Sequence, residues 1–219
     1  MDDNYNQSLA QLGFVVINFA YRGSGPWRGR DFHTFGYGNL RDYALADDMA
    51  AIRQIAARYP CADIERVGIY GHSGGGFMTV AAMLNHPEFY KVGVAASGNH
   101  DNNIYSQWWG ETFHGVKQTW GKDGKPHFEC HIPTNIELAD RLAGRLLLIT
   151  GDMDNNVHPA STARLADALI RARKRFDMTV IPGADHGLGN SYYVNLIRYY
   201  FTEHLLGLPQ QEIDIVKHN

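Results

Sequence analysis

The 219-residue chain has few cysteines, no large excess of either charge and no long hydrophobic run. Its two cysteines, Cys61 and Cys130, are too few for a disulfide framework and do not identify the redox compartment. The formal net charge of −3 argues against nucleic acid or an anionic membrane surface as the main partner. No apolar run approaches a membrane span, and the N-terminus shows no basic-then-apolar signal pattern. The sequence leaves the localisation unknown.

Apolar residues make up 44% of the chain, enough for one sizeable core, so residues 1–219 are predicted to form a single domain. Strand-like apolar segments alternate with helical patterns. Strands are predicted at 14–19, 66–70, 92–96, 145–150 and 178–181, helices at 41–59, 159–173 and 191–206, and the end of a helix at 7–12. This alternation predicts an α/β fold with a mostly parallel sheet and helices on both faces. Ligands of such sheets bind at the carboxyl ends of the strands.

The pentapeptide Gly-His-Ser-Gly-Gly at 71–75 lies between a predicted strand and an apolar helix. A serine on a tight turn between strand and helix is typical of a nucleophile elbow. The glycines let strand and helix close around a serine that is held in a strained backbone conformation. The turn also directs the first amides of the helix at whatever the serine attacks. Ser73 is therefore predicted to be a catalytic nucleophile.

A serine hydroxyl is a poor nucleophile, and it needs a histidine base that is oriented by a carboxylate. The loop after the strand at 178–181 contains His186, which is the predicted base. The loop after the strand at 145–150 contains Asp152 and Asp154, and spacing alone does not show which of them is the carboxylate that orients His186. Of the other histidines, only His158 also follows a strand at the same edge of the sheet.

Four motifs, in order along the chain, resemble the catalytic domain of the prolyl oligopeptidase family, and most closely its dipeptidyl peptidase IV branch. They are Tyr-Arg-Gly-Ser-Gly at 21–25, the pentapeptide at 71–75, Asp-Asn-Asn-Val-His at 154–158 and Asp-His-Gly at 185–187. The resemblance implies an α/β-hydrolase fold and a serine peptidase that works through an acyl-enzyme, without a cofactor. It also implies that Asp154 is the triad acid, and that dipeptides are released after proline or a small residue.

By the same resemblance, the aromatic stretch after residue 97 supplies the pocket for the residue before the scissile bond. Trp109 and Phe113 lie where that branch carries two tyrosines, and Asn156 and Val157 are expected to line the same site. The two missing hydroxyls are a departure from the family pattern. The alternative is that these aromatic side chains pack over the core.

The resemblance further implies strands, an oxyanion-hole tyrosine and a β-propeller that have no counterpart in this chain. The chain is therefore predicted to be a catalytic domain truncated at its N-terminus, with its first strands missing. One missing strand would lie between the segments 14–19 and 67–70. Tyr5 and Tyr21 lie in the wrong elements to replace the tyrosine, which leaves the amide of Gly74 as one oxyanion donor. We expect weak activity. The exposed backbone edges favour self-association, and the sequence does not decide whether the chain forms a homo-oligomer.

No metal site is predicted. Asp152, Asp154 and Asn156 begin like a calcium loop, but Val157 occupies the position that needs glycine. The run at 127–131 contains ligand types, and a polar loop explains it better. A peptide is the expected partner. The alternative functions are a general esterase or acylaminoacyl hydrolase, because a triad does not choose between amide and ester, and an inactive fragment that acts as an interaction domain.

Overall fold

A computed structural model of the chain describes residues 3–189 and 191–209, with side chains from residue 6 onward. The helices are α1 (Asp3–Gln11), α2 (Arg30–His33), α3 (Leu45–Arg58), α4 (Gly74–Asn85), α5 (Gln107–Phe113), α6 (Ala160–Arg171) and α7 (Ser191–Leu206). The strands are β1 (Val67–His72), β2 (Tyr90–Ala96), β3 (Lys117–Trp120), β4 (Pro126–Glu129), β5 (Arg145–Gly151) and β6 (Asp177–Ile181). Short 3-10 turns occupy Pro26–Arg28 and Ile136–Arg141.

The main sheet contains four parallel strands in the order β1-β2-β5-β6. Its register pairs His72, at the end of β1, with Ala96 at the end of β2, and Ala96 in turn with Ile149 of β5. The carboxyl ends of all four strands therefore lie at one edge of the sheet. The segments that leave this edge carry Ser73, the aromatic residues that are predicted to form a pocket, the two aspartates and His186.

Helices cover both faces of the sheet, which explains why its central strands contain runs of consecutive apolar residues. In β5, Leu146 and Leu148 pack into the core formed with α3, α4 and α6. Leu147 and Ile149 point to the opposite face and pack against α7. All four side chains are at most 2% exposed, and burying each stabilises the fold by about 1.5–3 kcal/mol. The prediction of a parallel α/β sheet is confirmed.

Residues 14–19 are not a strand, and that prediction is wrong. Among the described residues, neither this extended segment nor the outer edge of β1 has a strand partner. Phe14 and Val16 pack against the core on the α7 side, with the rings of Phe14 and Phe201 6.2 Å apart, whereas Val15 is 48% exposed. A cavity of about 450 Å³ separates the segment from β1. The apolar pattern indicated partial burial, but a strand also needs a hydrogen-bonded neighbour, and this segment has none among the described residues.

The other differences from prediction are smaller. The helix predicted at 41–59 begins at Leu45, and the helix predicted from 159 begins at Ala160, with Pro159 directly before it. The stretch from 97 to 136 contains α5 and the antiparallel hairpin β3–β4, which the sequence did not predict. Gly124, with φ of 72°, makes the hairpin turn. No helix in the described part of the chain is long and apolar enough to cross a membrane.

Candidate active site

Ser73 lies in a one-residue turn between β1 and α4. Its φ of 59° and ψ of −121° lie in a region that residues other than glycine rarely adopt. Its N–H donates to the carbonyl oxygen of Ala96 at 2.8 Å, and its own carbonyl accepts from the N–H of Phe77 at 3.0 Å. A Cβ on Gly71 would lie 2.3 Å from the carbonyl oxygen of Gly75, so only glycine lets strand and helix approach here. The local sequence therefore holds Ser73 on a strained turn.

The structure brings His186 and Asp154 to Ser73 from two different loops. His186 follows β6, and its Nε2 lies 2.9 Å from Oγ of Ser73. Asp154 follows β5, and its Oδ2 lies 2.8 Å from Nδ1 of His186. Because a carboxylate accepts, we assign the proton to Nδ1, which leaves Nε2 free to accept from the serine hydroxyl. The three side chains form a continuous hydrogen-bonded relay.

The structure distinguishes the two aspartates that spacing left open. Oδ1 of Asp154 accepts from the N–H groups of Asn156 at 3.0 Å and Val157 at 2.9 Å. The Asp154 side chain has no exposed surface, so these bonds satisfy a carboxylate that has left water. Asp152 instead accepts from the N–H of Gly183 at 2.6 Å, and its side chain is exposed. Asp154 orients the imidazole, whereas Asp152 ties together the loops after β5 and β6.

Helix α4 begins at Gly74, directly after the serine. The first N–H groups of a helix lack acceptors within the helix and carry partial positive charge, which suits an oxyanion. The role of the Gly74 amide stays a prediction. The ring of Tyr21 packs against the rings of Phe19 and Tyr43, at centroid distances of 6.2 and 5.9 Å, and these contacts do not involve the relay. The side chain of Tyr5 lies outside the described residues.

The predicted pocket aromatics form a connected wall. The rings of Trp109 and Phe113 on α5 lie 5.1 Å apart, and the ring of Tyr105 lies 5.8 Å from that of Trp109. The Tyr105 hydroxyl donates to Oδ1 of Asn156 at 2.6 Å. Since Asn156 also donates its N–H to Asp154, the wall is joined to the relay. We did not single out Tyr105 from the sequence, although its spacing of four residues from Trp109 continues that between Trp109 and Phe113.

The four predicted pocket residues differ in exposure. Phe113 is 40% exposed, Trp109 is half-buried and Asn156 is exposed, so these three present side-chain surface to a ligand. Val157 is only 3% exposed, and its described polar contact is the main-chain bond to Asp154. Substrate contact by these four residues stays a prediction.

The two histidines in the run at 127–131, which could act as metal ligands, each lie near a different carboxylate. His127 lies 3.7 Å from Asp123 within the hairpin, and His131 lies 3.7 Å from Glu137. Across residues 3–189 and 191–209, no group of three or more histidine, cysteine, aspartate or glutamate side chains could hold a metal ion.

Residues 2–208 match the prolyl oligopeptidase family. The chain belongs to this family. The match covers the whole relay and both faces of the parallel sheet, and with solved relatives it shows that the fold is that of an α/β-hydrolase. The family expectation drawn from the four sequence motifs is thus confirmed.

Several members of the prolyl oligopeptidase family are similar to this chain. Human dipeptidyl peptidase 8 is 29% identical over 198 residues, which are 88% of this chain and 22% of that protein. The crystal structure of dipeptidyl peptidase 4 from Porphyromonas gingivalis is 26% identical with a TM-score of 0.69, over 81% of this chain and 25% of that one. A Bacteroides ovatus structure, provisionally assigned as a dipeptidyl aminopeptidase IV, is 31% identical with a TM-score of 0.71, over 84% and 25% respectively. The chain therefore spans about a quarter or less of these relatives.

Proposed function

We propose that this chain carries the acyl-transfer site of a serine peptidase. Ser73 is the nucleophile, His186 the general base and acid, and Asp154 the carboxylate that orients His186. The observation that carries this proposal is the relay of 2.9 and 2.8 Å hydrogen bonds on a strained strand-turn-helix. Membership of the prolyl oligopeptidase family supports an amide substrate.

In the first step, Oγ of Ser73 bonds to the carbonyl carbon of the substrate while its proton passes to Nε2 of His186. The carbonyl oxygen becomes an oxyanion, which accepts a hydrogen bond from the Gly74 amide. Asp154 stabilises the imidazolium and keeps the Nδ1 proton. When the carbon–nitrogen bond breaks, His186 returns a proton to the leaving amine, and an ester on Ser73 remains.

In the second step, a water molecule attacks the acyl-enzyme and gives a proton to His186. The carbon–oxygen bond to Ser73 then breaks, His186 returns the proton to Oγ, and the acid product leaves. The water attacks the same carbonyl carbon, so the same amide donor stabilises both oxyanions. No group beyond the relay and the amide of Gly74 enters this sequence.

We infer that the substrate is a peptide with proline or a small residue before the scissile bond, cut after its second residue. The half-buried indole of Trp109, packed between Tyr105 and Phe113, offers a flat apolar face to a proline ring. Asn156, held by the Tyr105 hydroxyl, offers a polar group beside this face. Similarity to proteins named dipeptidyl peptidases supports removal of dipeptides.

A catalytically weak form of this chain is the second candidate, and the cavity beside β1 favours it. The cavity is lined by Gly71 and Gly75 of the elbow as well as by residues 13–19. Among the described residues β1 is an edge strand of the sheet, so its outer edge lies next to the nucleophile. The Gly74 amide is the one oxyanion donor that we assign, and removal of a donor lowers turnover by about 10²–10³-fold in other hydrolases, so we expect a deficit of that order here.

Hydrolysis of a Gly-Pro amide reporter and of a simple acyl ester reporter tests the proposal. We expect both to be cleaved, and both activities to be lost in Ser73→Ala and His186→Ala. His127→Ala, which removes an exposed histidine of the hairpin, is the control and should retain activity. Cleavage of the ester alone would show an esterase. Slow cleavage of both reporters that disappears in Ser73→Ala would support the weak form. Cleavage of neither reporter by a cooperatively folded chain would contradict the proposal.

A further inference from the structure

The carbonyl oxygen of His186 accepts hydrogen bonds from two side chains that the relay does not use. Nε2 of His72 lies 2.5 Å from it, and Oγ of Ser97 lies 3.3 Å from it. His72 is the last residue of β1, and Ser97 directly follows β2. Both donors therefore lie at the carboxyl edge of the sheet, at the end of a strand or directly after it, whereas His186 lies in a loop.

The position of His72 couples the elbow to the histidine loop. It directly precedes Ser73, and its ring lies 4.7 Å from the ring of His186 at an interplanar angle of 56°. A carbonyl oxygen only accepts, so Nε2 of His72 carries a proton and acts as the donor. His72 is thus engaged with the main chain of His186 and is not a competing base for the serine.

Ser97 is held so that its hydroxyl points in the same direction. Its φ of 47° places it in the left-handed region, and its N–H donates to the carbonyl oxygen of Ile149 on β5 at 2.8 Å. A strained residue at the end of a central strand is over-determined by its surroundings. Its hydroxyl is correspondingly well placed as a fixed donor.

We propose that His72 and Ser97 are positioning residues that hold the main chain of His186, so that its ring bridges Ser73 and Asp154. This inference rests on the proposed acyl-transfer role of the relay. Hydrogen bonds to the two ring nitrogens set the rotation of the imidazole. The loop must also hold the Cα of His186 where both nitrogens can reach Ser73 and Asp154. A misplacement of about 1 Å in a catalytic group can lower a rate by about 10²-fold.

The charge state of His72 agrees with this role. The pKa of His72 is lowered from its ordinary value, and burial is the largest cause. Its hydrogen bond to the His186 carbonyl and the carboxylate of Asp154 act in the opposite direction, and the nearby ring of His186 lowers the pKa further. A neutral His72 donates from Nε2 without placing a second positive charge against the imidazolium that forms on His186 during acyl transfer.

The rate constant for phosphonylation of Ser73 by a fluorophosphonate tests the proposal, because Oγ bonds to phosphorus as fluoride leaves, and that reaction needs the nucleophile and base but no substrate pocket. His72→Phe keeps a ring and removes the donor, and we expect phosphonylation about 10–100-fold slower. His72→Gln supplies an amide N–H at a similar reach, and we expect its rate within about fivefold of the native chain. Ser97→Ala, which removes the longer bond, should slow phosphonylation about two- to tenfold. His127→Phe makes the same exchange on the exposed hairpin and should react like the native chain.

Thermal unfolding of each variant separates positioning from stability. A merely structural role would lower the melting temperature of His72→Phe and leave its phosphonylation rate unchanged. That result, or a His72→Gln chain that reacts no faster than His72→Phe, would overturn the proposal.

A readout that needs no reaction distinguishes failure of this inference from failure of the proposed function. If the native chain does not react with fluorophosphonate, the proposed function fails for this chain. The low-field proton NMR signal of the His186–Asp154 hydrogen bond then tests positioning directly. We expect it in the native chain and in His72→Gln, and expect it broadened or lost in His72→Phe. An unchanged signal in His72→Phe would refute the positioning role.

Discussion

Acidification should destabilise this protein through one buried histidine, His100. Its side chain is 0% exposed, in the loop that follows β2. Its Nδ1 lies 3.2 Å from the side-chain nitrogen of Asn135, which also donates to the carbonyl oxygen of Phe77 in α4. Burial lowers the pKa of His100 from its ordinary 6.5 to about 3. The folded chain therefore keeps a neutral imidazole over a pH range in which the unfolded chain binds a proton.

The sign and size of the effect follow from these two pKa values. Between pH 6.5 and about 3 the unfolded state binds more protons at this residue, so the free energy of unfolding falls as the pH falls. The slope approaches about 1.4 kcal/mol per pH unit. By about pH 4.5, the contribution of His100 should lower the free energy of unfolding by about 2–3 kcal/mol.

Urea unfolding followed by tryptophan fluorescence, from about pH 7.5 to about pH 4.5, measures this contribution when the native chain is compared with His100→Gln. Glutamine keeps an acceptor for Asn135 and does not titrate. The native chain should lose about 2–3 kcal/mol more than His100→Gln over this range, because the other titrating groups are common to both. His127→Gln, at a site that water reaches in both states, should follow the native chain. Parallel losses in the native chain and His100→Gln would refute the reasoning.

Three further substitutions test the site. Asp154→Asn should slow phosphonylation by the fluorophosphonate about 10⁴-fold because it reverses the tautomer of the imidazole, whereas Asp152→Asn should stay within about tenfold of the native rate, and equal effects would contradict the assignment. Gly71→Ala should lower the free energy of unfolding by about 1–3 kcal/mol in a urea titration, while Gly189→Ala, with nothing within 4 Å of the added Cβ, should not. Tyr105→Phe should raise KM for a Gly-Pro reporter about two- to tenfold with kcat little changed. An unchanged KM would show that the hydrogen bond between Tyr105 and Asn156 does not contribute to substrate binding.

The elements that could be predicted from the sequence are those whose signal is local. The elbow at 71–75 carries its own glycines, strand and helix, and β5 contains four consecutive apolar residues at 146–149, so both can be identified without knowledge of their neighbours. The bounds of α7, Ser191–Leu206, also agree with the prediction. His186 could be proposed because parallel strands bring the loops after their carboxyl ends to one edge.

What could not be predicted depends on contacts between distant parts of the chain. Spacing left Asp152 and Asp154 equivalent, so the choice of Asp154 came from the family resemblance, and its hydrogen bond to the imidazole depends on the packing of two loops. The donors His72 and Ser97 meet the carbonyl of His186 across separations of 114 and 89 residues. The segment 14–19 has the composition of a strand but no partner, and pairing is not encoded in the segment itself.

The central claim is that Ser73, activated by His186, is the group that attacks. Mass spectrometry of the fluorophosphonate-treated chain, with peptide mapping of the adduct, tests it most directly. The account predicts a single adduct on Ser73 in the native chain and none in His186→Ala. An adduct on another residue, or equal labelling of Ser73 in His186→Ala, would contradict it.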